Sequence, residues 1–182
     1  MHTMTEFISL VDEQDNIIGK GERLATHQEN RLHRAFSIFV FNNEGNLIIH
    51  RRALEKYHCG GLWTNTCCGH PRFGEDLNDA AHRRLFEEMG FDCPLQELFI
   101  FRYQTTFANG LHENEIDHVF VGKYSDAMRP DPNEVSEISI VSLDEIQKDV
   151  ADSEHHYTYW FANILKDPQL FEKLQKYAMS NH

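Results

Sequence analysis

The chain has no long apolar run. Nowhere do about 18 consecutive apolar residues occur, so no membrane-crossing helix is expected. Residues 1–10 lack the basic and apolar segments of a secretory signal. Cysteine is scarce: Cys59, Cys67, Cys68 and Cys93 are too few and too clustered for a secreted disulfide framework. A reducing cytoplasm is therefore the expected compartment. Positive charge is also short. Seventeen Lys and Arg against 29 Asp and Glu leave a net charge of −12, which argues against a nucleic-acid or membrane-surface binder. Such a chain binds an anion only through a local basic pocket or through metal ions. Repeats, low-complexity tracts and long linkers are absent as well.

What is present is ordinary globular composition, 41% hydrophobic and 25% charged, in 182 residues, which reads as one domain over 1–182. That length buries a core without covalent staples. Residues 7–11 read as a strand with a turn at 12–16. The run 35–41 (AFSIFVF) reads as a buried strand that forms a hairpin with 46–50 across Asn43-Glu44-Gly45. Further strands are expected at 98–107, 116–124 and 138–143. From 144 onward the pattern is helical, with breaks near Ser153 and Pro168. A mixed α/β domain follows, with helices packed on a sheet.

The most ordered signal is a helix over 76–89. Asp76 is its expected N-cap, Gly90 its C-terminal stop, and Leu77, Ala81, Leu85 and Met89 fall on one stripe. Arg83 and Glu87 share a face, as do Arg84 and Glu88. By itself such a helix reads as a salt-bridged surface. Here it follows the run Thr64-Asn65-Thr66-Cys67-Cys68-Gly69-His70-Pro71, which sets a thiol and an imidazole at its mouth.

Histidine is abundant, at twelve. His2, His155, His156 and His182 are expected on the surface. His27, His33 and His70 lie instead in patterned segments. Glu113-Asn114-Glu115 opens a strand, so both carboxylates point to one face. Three imidazoles and two carboxylates suit Mn²⁺, Zn²⁺ or Fe²⁺ better than Mg²⁺, which prefers oxygen. Trp63, Tyr103 and Trp160 add an aromatic set.

The spacing Gly69, Glu75, Arg83, Leu85, Glu87, Glu88, Gly90, Phe91 resembles the Nudix signature, and the resemblance implies a Nudix-type α/β/α sandwich with a mixed sheet and here a helical C-terminal extension. One position departs: the signature has Glu after the first Arg, and this chain has Arg84. That change removes a metal ligand of hydrolytic members and adds a phosphate-binding charge.

Over residues 7–160 the chain further resembles the type 1 isopentenyl-diphosphate Δ-isomerases, through His27, LHRAF at 32–36, RRALEK at 51–56, WTNTCCGHP at 63–71, Glu88, Arg102-Tyr103, ENE at 113–115 and Trp160. This resemblance implies reversible conversion of isopentenyl to dimethylallyl diphosphate. It implies Cys68 and Glu115 as the proton-transferring pair, with Cys68 selected over Cys67 by the Cys-Gly-His-Pro frame. Tyr103 would bond the glutamate, and Trp160 would face the cationic carbon. Arg23, Arg52, Lys56 and Arg84 would bind the diphosphate. Glu88, with the backbone carbonyl of Cys68, would hold Mg²⁺ on it. His27, His33, His70, Glu113 and Glu115 would hold Mn²⁺ or Zn²⁺. The expected partner is a small diphosphate, with no nucleic acid or membrane, and the expected state is a monomer or weak dimer. The rival reading is a Nudix hydrolase of a nucleoside diphosphate derivative, which gives no use to Cys68 or to the ENE pair and is broken by Arg84.

Overall fold

The structure, a computed structural model, describes residues 5–180, so His2 and His182 lie outside the described residues. Strand β1 (Phe7–Val11) ends in a turn where the Asp12 carboxylate accepts the backbone N–H groups of Gln14 and Asn16, each at 2.9 Å. The chain returns as β2 (Ile17–Glu22), antiparallel to β1. This strand carries Gly-Lys-Gly-Glu, poor strand material, and only its pairing with β1 specifies it. The Glu22 carboxylate then accepts from Leu24 N–H (3.1 Å) and Ala25 N–H (2.7 Å) and starts the short helix α1 (Arg23–Gln28), which carries His27.

Strand β3 (His33–Phe41) is the centre of the sheet. One edge runs parallel to β8 (His112–Lys123), from His33 beside Glu115 to Phe41 beside Lys123. Its other edge takes β6 (Cys67–Gly69), with Ser37 opposite Cys68. The hairpin expected between 35–41 and 46–50 therefore survives only at its tip, where Phe41 pairs with Leu47. With both edges of β3 occupied, β4 (Leu47–Arg52) diverges to pair with β9 (Val135–Val141) and β5 (Trp63–Thr64). Strand β7 (Leu95–Thr106) pairs antiparallel with β8 and completes a mixed sheet of nine strands among the described residues.

Alternation along β3 explains why 35–41 is almost wholly apolar. Phe36, Ile38 and Val40 face α2 (Leu77–Met89) and pack with its Ala80, Ala81, Leu85 and Met89. Phe39 and Phe41 face the opposite layer, built from α3 (Leu143–Asp152), α4 (Tyr159–Lys166) and α5 (Pro168–Ala178). Both faces of β3 are thus covered, one by each helical layer.

Capping sets the helix ends. Asp76 accepts the Asp79 N–H at 3.1 Å at the start of α2. Gly90 ends it with φ of 71°, where a Cβ would come within 2.1 Å of the Arg129 carbonyl oxygen. The strand expected at 138–143 stops at Val141 because Ser142 caps α3 through the Glu145 N–H. Ser153 ends α3 before a 3₁₀ turn at Glu154–His156, where His155 and His156 are exposed. Pro168 opens α5 rather than interrupting a helix, under an Asp167 cap.

Candidate active site and metal centre

Parallel pairing of β3 with β8 places His33 beside Glu115, and the strand period turns Glu113 to the same side. Helix α1 brings His27, and the residue after β6 is His70. One ligand atom from each of these five side chains lies within 4.8 Å of all the others. His33 Nε2 is 3.1 Å from Glu115 Oε1 and 3.7 Å from Glu113 Oε2. His70 Nε2 is 2.9 Å from Glu115 Oε1, and His27 Nε2 is 3.3 Å from Glu113 Oε2.

The outer ring nitrogens are held by the backbone. His27 Nδ1 meets the Arg23 carbonyl at 2.6 Å and His33 Nδ1 the Arg31 carbonyl at 2.8 Å. With Nδ1–H donating outward, each Nε2 faces the cluster, where the neutral ring offers its lone pair. Among the described residues, His27 Nε2 and Glu113 Oε2 are buried without a hydrogen-bond partner, which is costly unless a cation sits between them. Burial opposes charge on His33, yet Glu113 and Glu115 outweigh it and push its pKa up to about 10. At His70 burial dominates and lowers the pKa. Donor set, burial and unpaired atoms all fit a divalent metal ion.

Next to this cluster is a cavity of about 660 Å³ lined by Cys68, Glu115, Tyr103 and Trp160 among others. The Trp160 Nε1–H points at Cys68 Sγ and at Asn65 Oδ1, both 3.2 Å away. Asn65 is fully buried. Its Nδ2 donates to the carbonyls of Ile38 (3.2 Å) and Cys67 (2.8 Å), which turns Oδ1 toward the thiol at 3.3 Å. Burial, reinforced by Glu88 and Asp117, pushes the Cys68 thiol up to about 12, so it keeps its proton at neutral pH. Across the cavity wall, the Tyr103 hydroxyl donates to Glu115 Oε2 at 2.7 Å. The Tyr103 and Trp160 rings are 6.2 Å apart. Cys67, by contrast, is fully buried in the core against α2.

The far end of the cavity is charged. Arg23, Arg52, Lys56, Arg84 and Glu88 all line it. Arg84 bonds Glu88 Oε1 at 2.5 Å and Glu87 Oε2 at 2.7 Å, and approaches Glu134 at 3.5 Å; Lys56 also pairs with Glu134. Arg83 braces the helix start through Glu75 at 2.7 Å. Arg52 is buried, its guanidinium 5.8 Å from the Trp160 ring, and its Nε has no partner. Arg23 is half-exposed beside Glu6.

Two residues from the sequence motifs fall elsewhere. Trp63 packs against the core from β5 and does not line the cavity, and Arg102 pairs with Glu13 on the surface. Sequence reading missed Asn65, Ser37, Asp117, Glu134 and His58. Ser37 donates to Asp117 Oδ2 at 2.7 Å beneath Cys68, and His58 Nε2 lies 3.1 Å from Glu113 Oε1. For Ser37 the available signal was a polar residue inside an otherwise apolar run, AFSIFVF.

Fold and site define a Nudix-type domain, and a family model described as NUDIX domain matches residues 31–162. A Photorhabdus laumondii protein named isopentenyl-diphosphate Delta-isomerase 2 is 49% identical over 162 residues, covering 89% of this chain and 92% of its own length. A Serratia proteamaculans isopentenyl-diphosphate Delta-isomerase is 43% identical, covering 90% and 92%. The chain belongs to the isopentenyl-diphosphate Delta-isomerase family. Solved structures share the fold at lower identity. DR0079 from Deinococcus radiodurans superposes with a TM-score of 0.75 at 23% identity over 88% of this chain and 98% of that one. A MutT protein from Methanosarcina mazei gives 0.62 at 18% identity, over 82% and 96%.

Proposed function

We propose that the protein interconverts isopentenyl diphosphate and dimethylallyl diphosphate by adding a proton at one carbon and removing one from another. The observation that carries this reading is a single cavity holding a half-buried thiol, Cys68, bonded by Trp160, and a buried carboxylate, Glu115, bonded by Tyr103.

The alkene is unactivated, so protonation passes through a tertiary, carbocation-like state. One group gives a proton to the terminal carbon, and the other takes a proton from the carbon on the far side of the cationic centre. No electrons are exchanged and no atoms are lost. Because the reaction is reversible, Cys68 and Glu115 each act as acid in one direction and base in the other. A positioned acid or base contributes roughly 10²–10⁴-fold. Tyr103 holds Glu115 Oε2 and is placed to pass its proton on. The Trp160 ring stabilises the cation, worth about 2 kcal/mol when desolvated. Glu115, Tyr103 and Trp160 are all buried, so bulk solvent does not reach them freely.

Arg23, Arg52, Lys56 and Arg84 bind the diphosphate, which reconciles an anionic substrate with a net charge of −12. Glu88 and the Cys68 carbonyl offer oxygen donors that suit Mg²⁺ on that diphosphate. His27, His33, His70, Glu113 and Glu115 suit Mn²⁺ or Zn²⁺. A bound divalent ion there supplies positive charge that orients Glu115 and lowers its proton affinity. This reading places the enzyme in the cytoplasm as a monomer or weak dimer. No helix among the described residues is long and apolar enough to cross a membrane.

Incubation with isopentenyl diphosphate and Mg²⁺ in D₂O tests the proposal. Dimethylallyl diphosphate carrying deuterium is expected. Metal-loaded protein that yields neither product nor deuterium exchange would refute it, and release of inorganic phosphate or pyrophosphate in its place would restore the hydrolase reading.

A further inference from the structure

His58 lies in the segment between β4 and β5, outside every motif that the reaction uses. It is buried, and its ring is wedged among Tyr57 (4.4 Å between centroids), Phe107 (5.5 Å) and Trp160 (6.4 Å). Its backbone is tied to the cavity wall, since Arg52 Nη2 donates to the His58 carbonyl at 3.3 Å. The side chain makes one polar contact among the described residues: Nε2 to Glu113 Oε1 at 3.1 Å, with Nδ1 meeting no hydrogen-bond partner.

The two oxygens of Glu113 are therefore divided. Oε1 faces His58, while Oε2 faces His27 at 3.3 Å and His33 at 3.7 Å and has no hydrogen bond. The three imidazoles of the cluster lie 4.8, 5.0 and 5.3 Å apart by ring centroid, whereas His58 lies 5.9 Å from His27. His58 is not among the five side chains whose ligand atoms lie within 4.8 Å of one another, and it meets Glu113 through the other oxygen.

We propose that His58 is a positioning residue of the metal centre: its Nε2–H holds Glu113 Oε1 and so commits Oε2 to the ion. A carboxylate free to rotate presents either oxygen and pays rotamer entropy on binding; one clamped at its other oxygen does not. The aromatic wedge of Tyr57, Phe107 and Trp160 fixes the plane of the imidazole, and with it the direction of the bond. Because Tyr57 and Trp160 also line the substrate cavity, the same ring mechanically joins the metal centre to the substrate wall.

The inference rests on the reading of the His/Glu cluster as a metal centre, and the test separates the two. Zn²⁺ affinity is measured by competition with a chromophoric chelator, without diphosphate, on wild type and on His58→Ala, His58→Phe and His58→Gln. Ala and Phe are expected to weaken binding about 10–100-fold, Phe doing so although it refills the wedge, while Gln, whose amide N–H can donate, stays within roughly fivefold of wild type. Thermal melting of the metal-free proteins checks that each variant folds. Phe binding as tightly as wild type would overturn the proposal. So would Gln as weak as Phe in a folded protein, since that would make His58 a ligand or a packing residue. A wild-type chain that binds no Zn²⁺ would remove the centre itself, and the proposal with it.

Discussion

The two ends of the cavity are built in opposite ways. The charged end is built around one helix, with Arg23, Arg52 and Lys56 added from other elements: Arg83, Arg84, Glu87 and Glu88 lie within six residues on α2 and pair at i, i+3 and i, i+4 spacing. At the His/Glu end the side chains come from α1, β3, β8 and the residue after β6, and sequence neighbours contribute little. On α2 the two arginines already hold carboxylates, while Arg52 of the same end has a buried Nε that meets no partner among the described residues. The His/Glu end leaves His27 Nε2 and Glu113 Oε2 unpaired in a buried place. Ion pairs along a helix bind an anion by exchanging partners, whereas buried atoms without hydrogen bonds are suited to coordinate a cation. Cys68 sits at the junction, on a three-residue strand that touches both.

The strongest way to break this comparison is at the junction. Cys68→Ala and Glu115→Ala are each expected to lower turnover of isopentenyl diphosphate by about 10³-fold or more, measured by NMR of the product. Cys67→Ala retains most of the activity. A dead Cys67→Ala beside an active Cys68→Ala would reverse the thiol assignment.

Next come variants that separate the two ends. Arg84→Ala should raise KM for the diphosphate roughly 10–100-fold, the loss of one charge-assisted bond, and leave Zn²⁺ affinity unchanged. His33→Ala should do the converse, losing Zn²⁺ while diphosphate affinity changes little. If either variant moved both quantities equally, the two ends would be a single coupled site.

Asn65 offers a smaller effect. Asn65→Ala takes one of two partners from the Thr64 hydroxyl and from the Trp160 N–H, and a side-chain donor from the carbonyls of Ile38 and Cys67. The expected cost is about 1–3 kcal/mol for each buried group left unpaired, read from urea denaturation. An unchanged midpoint would show that the neighbours close over the gap.

The smallest effect falls on His50, on the strand between the two ends. It is buried, and its Nδ1–H donates to the Thr66 carbonyl at 2.9 Å. Burial lowers its pKa below 6.5 despite the pull of Glu88. On acidification the unfolded chain therefore takes up this proton before the folded one does. The stability is full above about pH 6.5 and declines as pH falls below it, at no more than about 1.4 kcal/mol per pH unit. Comparing urea midpoints of wild type and His50→Asn at pH 7.5 and 5.5 should show a smaller acid loss in the variant.

Legibility followed the same divide. Helix α2, its cap at Asp76 and its stop at Gly90 were readable because a helix is specified by neighbours three and four residues away. The strands at 7–11, 35–41 and 116–124 were readable from apolar runs. Strand β2 and helix α1 were not. The first is polar and glycine-bearing and depends on β1, and the second is six residues long and is started by a Glu cap. The 35–41 and 46–50 hairpin holds only at its tip, because the local rule pairs sequential strands whereas β3 gains more from β8 and β6. His58 was invisible because nothing in its local pattern differs from a loop histidine.

By itself, the sequence determined the residue types: a thiol and imidazole before an Arg/Glu helix, and an ENE pair on one strand face. Spacing along the chain is enough for these, since side-chain direction in a helix or strand has a fixed period. Tertiary structure alone decided which groups meet. The parallel register of β3 and β8 put His33 beside Glu115, and the pairing of β6 with β3 put Cys68 over Ser37. Packing of α4 onto the sheet then brought the Trp160 N–H to Cys68 Sγ from 92 residues away. Such contacts depend on strand pairing and core burial summed over the whole domain, and no local pattern contains that sum.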